Sequence, residues 1–388
     1  MTFLDFIISV SGLSCVVWLY LLVFHHRFWL SNQVLKNHTP LRDGEWPDVV
    51  VIIPARNEAE TIETVAKSHL ANNYQGKLDL IVVDDQSSDG TGDLVRALSS
   101  NRTHVIAGKD LPDGWSGKLW AVNNGLEVAK EIAPNAAYVL LTDADIEHAP
   151  GTLSKLVAKA VQEEQAMVSI MAMLDARGFW GGLLMPAFIF FFQKLYPFPA
   201  INNSGSTIGG AAGGCMLIER KALGDIGGVE TIKGDLIDDC ALGKALKDPK
   251  SAKRSIWLGF DDGIVSLRDN RELHTIWKMV TRTAFTQLRF SPVLLIGAIL
   301  GMALTYLVAP FIILSLPFHG SNLALALGSL AYFGMALAYA PTLQRYNKSW
   351  LWALILPLSA IIYMMMTISS ALNHWRGRGG AWKGRTYS

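Results

Sequence analysis

The chain has 388 residues, 51% of them hydrophobic and 17% charged, which leaves room for one large domain or two modest ones and is apolar for a soluble protein. A formal charge of +1 provides no basic field for gripping a phosphate backbone and argues against a nucleic-acid partner. Three cysteines, Cys15, Cys215 and Cys240, without CxxC spacing, argue against a disulfide framework or a zinc site.

Phe6 to Phe24 contains no charged residue, close to the length of helix that crosses a hydrocarbon layer. It follows Asp5 rather than a basic segment and has no small-residue cleavage site, so residues 1–27 are predicted as a retained anchor. Arg27, Lys36 and Arg42 follow it and no Lys or Arg precedes it, which sets the next part of the chain in the cytosol. Between 48 and 270, apolar β-rich runs (49–53, 80–83, 104–107, 138–142, 167–173) alternate with helical patterns (58–71, 91–99, 118–133, 150–164). That alternation predicts an α/β domain on a parallel sheet covered on both faces, with ligands beyond the carboxyl ends of the strands. The aromatic stretch near 179–199 is short for a span and broken by Pro186, and one crossing there would put Asp143 and Asp239 on opposite sides of the membrane. It reads as an interfacial segment, with domain core as the equal alternative.

Residues 271–290, with His274, Trp277, Arg282 and Arg289, are expected as a juxtamembrane helix. From there, Ser291 to Gln344 and Ser349 to Trp375 carry no Asp, Glu, Lys or Arg. The region 291–375 is expected to hold about three spans, near 292–316, 322–343 and 350–372, before a basic tail over 376–388. Three crossings would leave Arg376, Arg378, Lys383 and Arg385 outside, against the charge rule; a re-entrant or interfacial segment would relieve the conflict.

Polar turns follow three of the predicted strands: 54–58 (Pro-Ala-Arg-Asn-Glu), 84–91 (Asp-Asp-Gln-Ser-Ser-Asp-Gly-Thr) and 143–145 (Asp-Ala-Asp). Each alone is better explained as a helix cap. Gathered at one sheet edge, uncompensated carboxylates repel unless a cation or donors neutralise them. Asp143 and Asp145, flanking one residue, suit Mg²⁺ or Mn²⁺ that completes its shell with water and a diphosphate leaving group. Lys118 opens a helix after a Gly/Pro/Asp-rich loop and suits phosphate, a solvated first-turn lysine being the alternative. Gly213 and Gly214 allow close backbone approach to a substrate, or only a turn. Asp238 and Asp239 open a further helix, where they serve as caps or supply the base that group transfer to a hydroxyl needs; Asp239 is the first choice, Asp238 its competitor.

In order, residues 54–58, 84–91, Gly117-Lys118 with Asn123-Asn124-Gly125, 143–145 and Asp238-Asp239 resemble the family-two inverting glycosyltransferases of the GT-A (Rossmann-like) fold, over roughly 48–290. The resemblance implies a nucleotide-sugar donor such as a UDP-sugar. Pro54 and Ala144 stand in its donor motifs; Ala55, Arg56, Glu58 and Asp85 would line the nucleoside, Lys118 would meet the phosphates, and Asp145 would be the main metal ligand beside Asp143. Residues 114–121, 234–243 and 282–288 are similar to the bacterial hopene-associated glycosyltransferases, which implies a multi-pass protein of the cytoplasmic membrane with a lipid acceptor, a hopanoid by that resemblance. Arg282 stands where the QxxRW signature of polysaccharide synthases has its Arg, with Thr283 in place of Trp, which weakens the rival reading of a processive polysaccharide synthase. A transporter or membrane scaffold, the other rival, should carry ionisable residues within its spans, and these have almost none.

Overall fold

The computed structural model describes residues 2–248, 254–377, 381–382 and 385–386, so Arg378 and Lys383 of the expected tail lie outside the described residues. In chain order the strands of the main sheet are β1 (Val49–Ala55), β2 (Leu78–Asp84), β3 (Thr103–Ala107), β4 (Tyr138–Thr142), β5 (Ile146–His148), β6 (Met167–Met173), β7 (Cys215–Glu219) and β8 (Ile256–Ser266). Helices α1 (Phe3–Val23), α2 (Ile62–Leu70), α3 (Thr91–Arg96), α4 (Gly117–Ile132), α5 (Thr152–Gln162), α6 (Gly178–Leu195), α7 (Phe198–Ile201), α8 (Arg220–Asp225) and α9 (Asp238–Lys247) are followed by α10 (Leu273–Thr281) and α11 (Ala284–Gln287). The last are α12 (Pro292–Met302), α13 (Val308–Leu314), α14 (Leu316–His319), α15 (Asn322–Arg345) and α16 (Leu356–Trp375). The chain divides into a helical unit (Met1–Asn32, Ala176–Pro199, Asp269–Gly380) and an α/β unit (Gln33–Asp175, Ala200–Arg268, Ala381–Ser388).

The α/β unit is built on one sheet of order β3-β2-β1-β4-β7-β6-β8-β5. The parallel expectation holds for β3-β2-β1-β4 and for β6 beside β8. It fails at β7, antiparallel to β4 and β6, and at β5, antiparallel to β8. β5 follows β4 after three residues but joins the sheet at its far edge beside β8, and β7 is reached from β6 through α6, α7 and the glycine-rich loop. Every residue of β1 is buried, because a central strand packed on both faces must be apolar throughout. Val51, Ile53, Leu80, Val82 and Leu140 share a core with Leu153, Leu156, Val157 and Ala160 of α5, the 3–4 spacing that turns one helical stripe onto a sheet.

In the helical unit, α1 starts at a capping box: Asp5 N donates to Thr2 Oγ1 (3.1 Å) and Thr2 N to Asp5 Oδ2 (2.8 Å). Ile7 packs with Ile312 and Ala324. A π-helical turn, Ala303–Leu307, separates α12 from α13. Trp18 Nε1 donates to Thr305 O (2.7 Å) and Ser14 Oγ to Leu304 O (3.1 Å), so α1 satisfies carbonyls at a place where the regular ladder is interrupted. Among the described residues, five helical segments are long and apolar enough to cross a membrane: Phe3–Val23, Gly178–Ile201, Pro292–Leu314, Asn322–Arg345 and Trp350–Trp375. The second corrects the expectation of a Pro-broken stretch. Pro186 removes one backbone donor, yet α6 runs through it unbroken. The juxtamembrane helix expected over 271–290 is two pieces, α10 and α11, parted at Arg282-Thr283.

Gly209 and Gly210 lie against the backbone of α9: a Cβ on Gly243 would stand 2.6 Å from the Gly210 carbonyl carbon. Gly243→Ala should force α9 away and cost about 1–3 kcal/mol, read as a lowered midpoint in thermal unfolding of the purified protein.

Candidate active site

The carboxyl ends of β1, β2 and β4 carry the three polar turns, and the sheet order sets them side by side. The first two are laced together. Arg56 Nη1 donates to Asp85 O (2.5 Å) and lies 3.7 Å from the Asp85 carboxylate, which is buried. Asn57 N donates to Ser87 Oγ (3.0 Å), Glu58 N to Thr91 Oγ1 (2.9 Å) and Ala59 N to Asp89 Oδ2 (3.0 Å). Asn57 and Gln86 both adopt left-handed backbone, a conformation that Asn in particular tolerates in tight turns. Pro54 and Ala55 are the buried last residues of β1.

Beside them, Ser116 caps α4 by accepting from Leu119 N and so projects Lys118 from the first turn. Its ammonium lies 2.8 Å from Asp143 Oδ1 and 3.2 Å from Asp238 Oδ2. Burial disfavours that charge, but Asp143, Asp238 and Asp239 outweigh it, and the Lys118 pKa is raised. Asp239 accepts from Gly213 N (2.8 Å) and Cys240 N (2.7 Å). Its pKa is pushed up to about 6, first by burial and then by the neighbouring Asp238. Gly213 sits where a Cβ would press on the Asp239 carboxylate (3.3 Å) and the Lys118 ammonium (3.4 Å), so close approach explains this glycine. Gly214 is packed against Ile146 instead. A narrow recess opens here, lined by Lys118, Asp143, Gly213 and Asp238 with Leu119 and Val122 as an apolar wall.

Asp145, on the same turn, is engaged by a second cation. Arg268 Nε lies 3.1 Å from its Oδ2, and Leu267 N donates to its carbonyl (2.7 Å). Burial raises the Asp145 pKa and Arg268 opposes the rise. The Ala144 carbonyl accepts from Thr61 Oγ1 (2.9 Å). Thr142 donates to Gly214 O (2.7 Å) and sits 3.1 Å from His148 Nε2, which ties the acidic turn to the glycine loop. Sequence reasoning missed Arg268, Thr142, His148 and Thr61. None stands in a motif, and Arg268 reaches Asp145 only because β5 pairs with β8 in the register Ile146 to Ser266. Arg282 belongs to the helical unit, as the C-terminal cap of α10.

Among the described residues no group of three or more His, Cys, Asp or Glu is placed to hold a metal. Asp143 and Asp145 offer two hard oxygen ligands, which fits a Mg²⁺ or Mn²⁺ ion that takes its remaining ligands from water and phosphate oxygens.

The parallel half of the sheet, with polar turns at its carboxyl edge and an antiparallel strand beyond, is a GT-A-like α/β fold. Residues 50–227 match the family described as Glycosyl transferase family 2. The fold likeness extends to the mannosyltransferase PcManGT from Pyrobaculum calidifontis, solved in complex with GDP-Man and Mn²⁺: TM-score 0.55 at 20% identity, covering 98% of this chain and 100% of that one. Among sequence relatives, the poly-beta-1,6-N-acetyl-D-glucosamine synthase of Staphylococcus aureus (strain COL) is 26% identical over 148 residues, 37% of this chain and 33% of that protein. The probable glycosyltransferase YdaM of Bacillus subtilis (strain 168) is 30% identical over 172 residues, 42% of this chain and 38% of that protein. The chain thus matches little more than a third of the length of these relatives.

Replacing Lys118 with Met leaves Asp143, Asp238 and Asp239 facing one another without a cation. Stability should fall by about 1–3 kcal/mol at pH 8, with the deficit shrinking at pH 5, where protonation relieves the repulsion; denaturant unfolding of both proteins at the two pH values checks this.

Proposed function

We propose that the chain is a membrane-bound inverting glycosyltransferase that moves a sugar from a nucleotide sugar to a lipid hydroxyl. The observation that carries the reading is an ammonium, Lys118, that balances Asp143 and Asp238 beside a further half-buried carboxylate, Asp239. Arg56 and Asp85 line the nucleoside, and Lys118 compensates phosphate charge. Asp143 and Asp145 would hold Mg²⁺ or Mn²⁺, which supplies Lewis-acid assistance to diphosphate departure. Asp239, anionic above about pH 6, takes the proton of the acceptor hydroxyl. Asp238 is less suited, being engaged by the Lys118 ammonium. The Pyrobaculum complex with GDP-Man and Mn²⁺ supports the pairing of nucleotide sugar and divalent ion. The resemblance of residues 114–121, 234–243 and 282–288 to the hopene-associated glycosyltransferases favours a hopanoid hydroxyl as the acceptor. The Staphylococcus relative favours a second reading, processive polysaccharide synthesis; product length separates the two.

Contacts within the helical unit support a membrane arrangement with three crossings. Helix α1, the α12–α13 pair and α15 traverse: Ile7, Ile312 and Ala324 meet near one end, while Trp18 meets Thr305, and a Cβ on Gly334 would stand 3.6 Å from Trp18 Cβ. The segment Trp350–Trp375 does not follow that path. Leu354 O accepts from Tyr332 OH in mid-α15, Tyr363 packs on Phe191, and His374 stacks on Phe290 just before α12 starts (4.3 Å). It enters beside the end of α15 and returns beside the start of α12, on one face. Helix α6 is likewise held at that face, by Trp352 near its start and by Ser31 and Thr342 near its end. Against a single crossing by α6 stands the pairing in one sheet of β4 and β7, which flank it in sequence. Arg27, Arg282, Arg289, Arg345 and Arg376 then fall together, and the charge rule makes that face cytosolic. This relieves the conflict posed by the basic tail.

Two experiments test these readings. Transfer of labelled sugar to extracted lipid should stop with EDTA, fall about 10²–10⁴-fold in Asp239→Asn, and decline in the wild type as pH drops through about 6, because protonation removes the base; full activity of Asp239→Asn sinks the mechanism. In intact spheroplasts an impermeant maleimide should label Phe318→Cys, but reach Gln344→Cys and Arg376→Cys only after permeabilisation.

A further inference from the structure

Each of the two candidate metal ligands is already partnered by a basic side chain, and the two partners differ in kind. Lys118 bridges Asp143 and Asp238 and is mostly buried, with 22% of its side chain exposed. Among the described residues Arg268 makes an ion pair with Asp145 alone, through one nitrogen at 3.1 Å, and has 35% of its side chain exposed against 11% for Asp145. It stands two residues past the end of β8, and the adjoining Leu267 amide is fixed to the Asp145 carbonyl (2.7 Å). The base of this side chain is therefore anchored while its guanidinium is free to turn toward solvent. A divalent ion and a guanidinium compete for the same carboxylate oxygen. A guanidinium released from carboxylate also has the planar fork that matches phosphate oxygens in pairs.

We propose that Arg268 is the resident counter-ion of the donor site: it holds Asp145 in the absence of metal, yields that carboxylate to the divalent ion, and engages the diphosphate of the incoming nucleotide. The inference rests on the reading of Asp143 and Asp145 as metal ligands and adds a consequence to it. Metal and donor bind cooperatively, because each relieves a charge that the other leaves exposed. Metal alone binds weakly, having to displace Arg268. Nucleotide strengthens metal binding both by supplying oxygen ligands and by giving Arg268 a new partner. Arg268 thus positions the donor and balances the site, whereas Asp239 handles the proton.

The test is Mn²⁺ binding by the full-length protein in detergent, followed by electron paramagnetic resonance and calorimetry, alone and with UDP or GDP. For Arg268→Ala, Mn²⁺ alone should bind about tenfold more tightly than to the wild type, a free-energy change of about 1.4 kcal/mol. Nucleotide affinity in saturating Mn²⁺ should fall about tenfold or more, and the strengthening of Mn²⁺ binding by nucleotide should shrink. Arg268→Lys, which keeps the charge but not the fork, should leave Mn²⁺ binding near the wild-type value and lose part of the nucleotide affinity. A purely structural ion pair predicts the reverse for metal: Arg268→Ala would loosen the Asp143–Asp145 turn and weaken Mn²⁺. That result, or unchanged Mn²⁺ affinity, overturns the proposal while leaving the metal reading intact. Asp145→Asn separates the two levels. If it leaves Mn²⁺ binding untouched, or the wild type binds no Mn²⁺ even with nucleotide, the metal reading fails and this inference falls with it.

Discussion

Charge balance around Lys118 is the constraint on which the recess depends. Asp143, Asp238 and Asp239 reach one small volume from two different loops, and carboxylates so placed cannot all remain ionised without a cation among them. The ammonium between Asp143 and Asp238 lets the strand-end turn and the start of α9 close on each other. Backbone amides complete the arrangement: Gly213 N and Cys240 N hold the Asp239 carboxylate in a fixed orientation while burial keeps its pKa near 6. One lysine thus permits a structure in which neighbouring carboxylates make different contacts.

The same logic explains how the α/β unit is built. A central parallel group, β3-β2-β1-β4, puts three loops at one edge, and side-chain to backbone hydrogen bonds between residues 56–59 and 85–91 lock two of them into a single wall. The antiparallel β7 then brings the glycine loop back alongside β4, so that Gly213 and Asp143 line one recess. Thr142, shared between Gly214 O and His148, is the pin at that junction.

Much of this was legible in the sequence, and the exceptions have physical causes. Strands β1, β2, β4 and β6 are visible because burial on both faces demands unbroken Val, Ile, Leu and Met. Strand β5 has only three residues, Ile146–His148, too few for any period. The turns at 54–58, 84–91 and 143–145 are legible because carboxylates and amides cluster after apolar runs, and Lys118 because it opens a helix after a loop of Gly, Pro and Asp. Arg268 is invisible: its partner lies far away in sequence and meets it only through the register of β5 on β8. Pro186 misleads in the opposite direction, since one missing backbone hydrogen bond is a small loss for a helix as long as α6 and as fully packed at Leu183, Leu184 and Met185. The extent of the apolar C-terminal segments was legible from their lack of charge. Their path was not, because hydropathy reports length and says nothing about which end of Trp350–Trp375 lies beside which neighbour.

The account's central claim is single transfer of a sugar, with inversion, onto a membrane lipid. It is tested most directly by incubating the purified protein with UDP- and GDP-sugars, Mn²⁺ and bacterial lipid extract, then determining the mass and anomeric configuration of the product. The account predicts a lipid carrying one added sugar whose anomeric centre is opposite to that of the donor. A long polymer, a product that retains the donor configuration, or no transfer to lipid from any donor would contradict it.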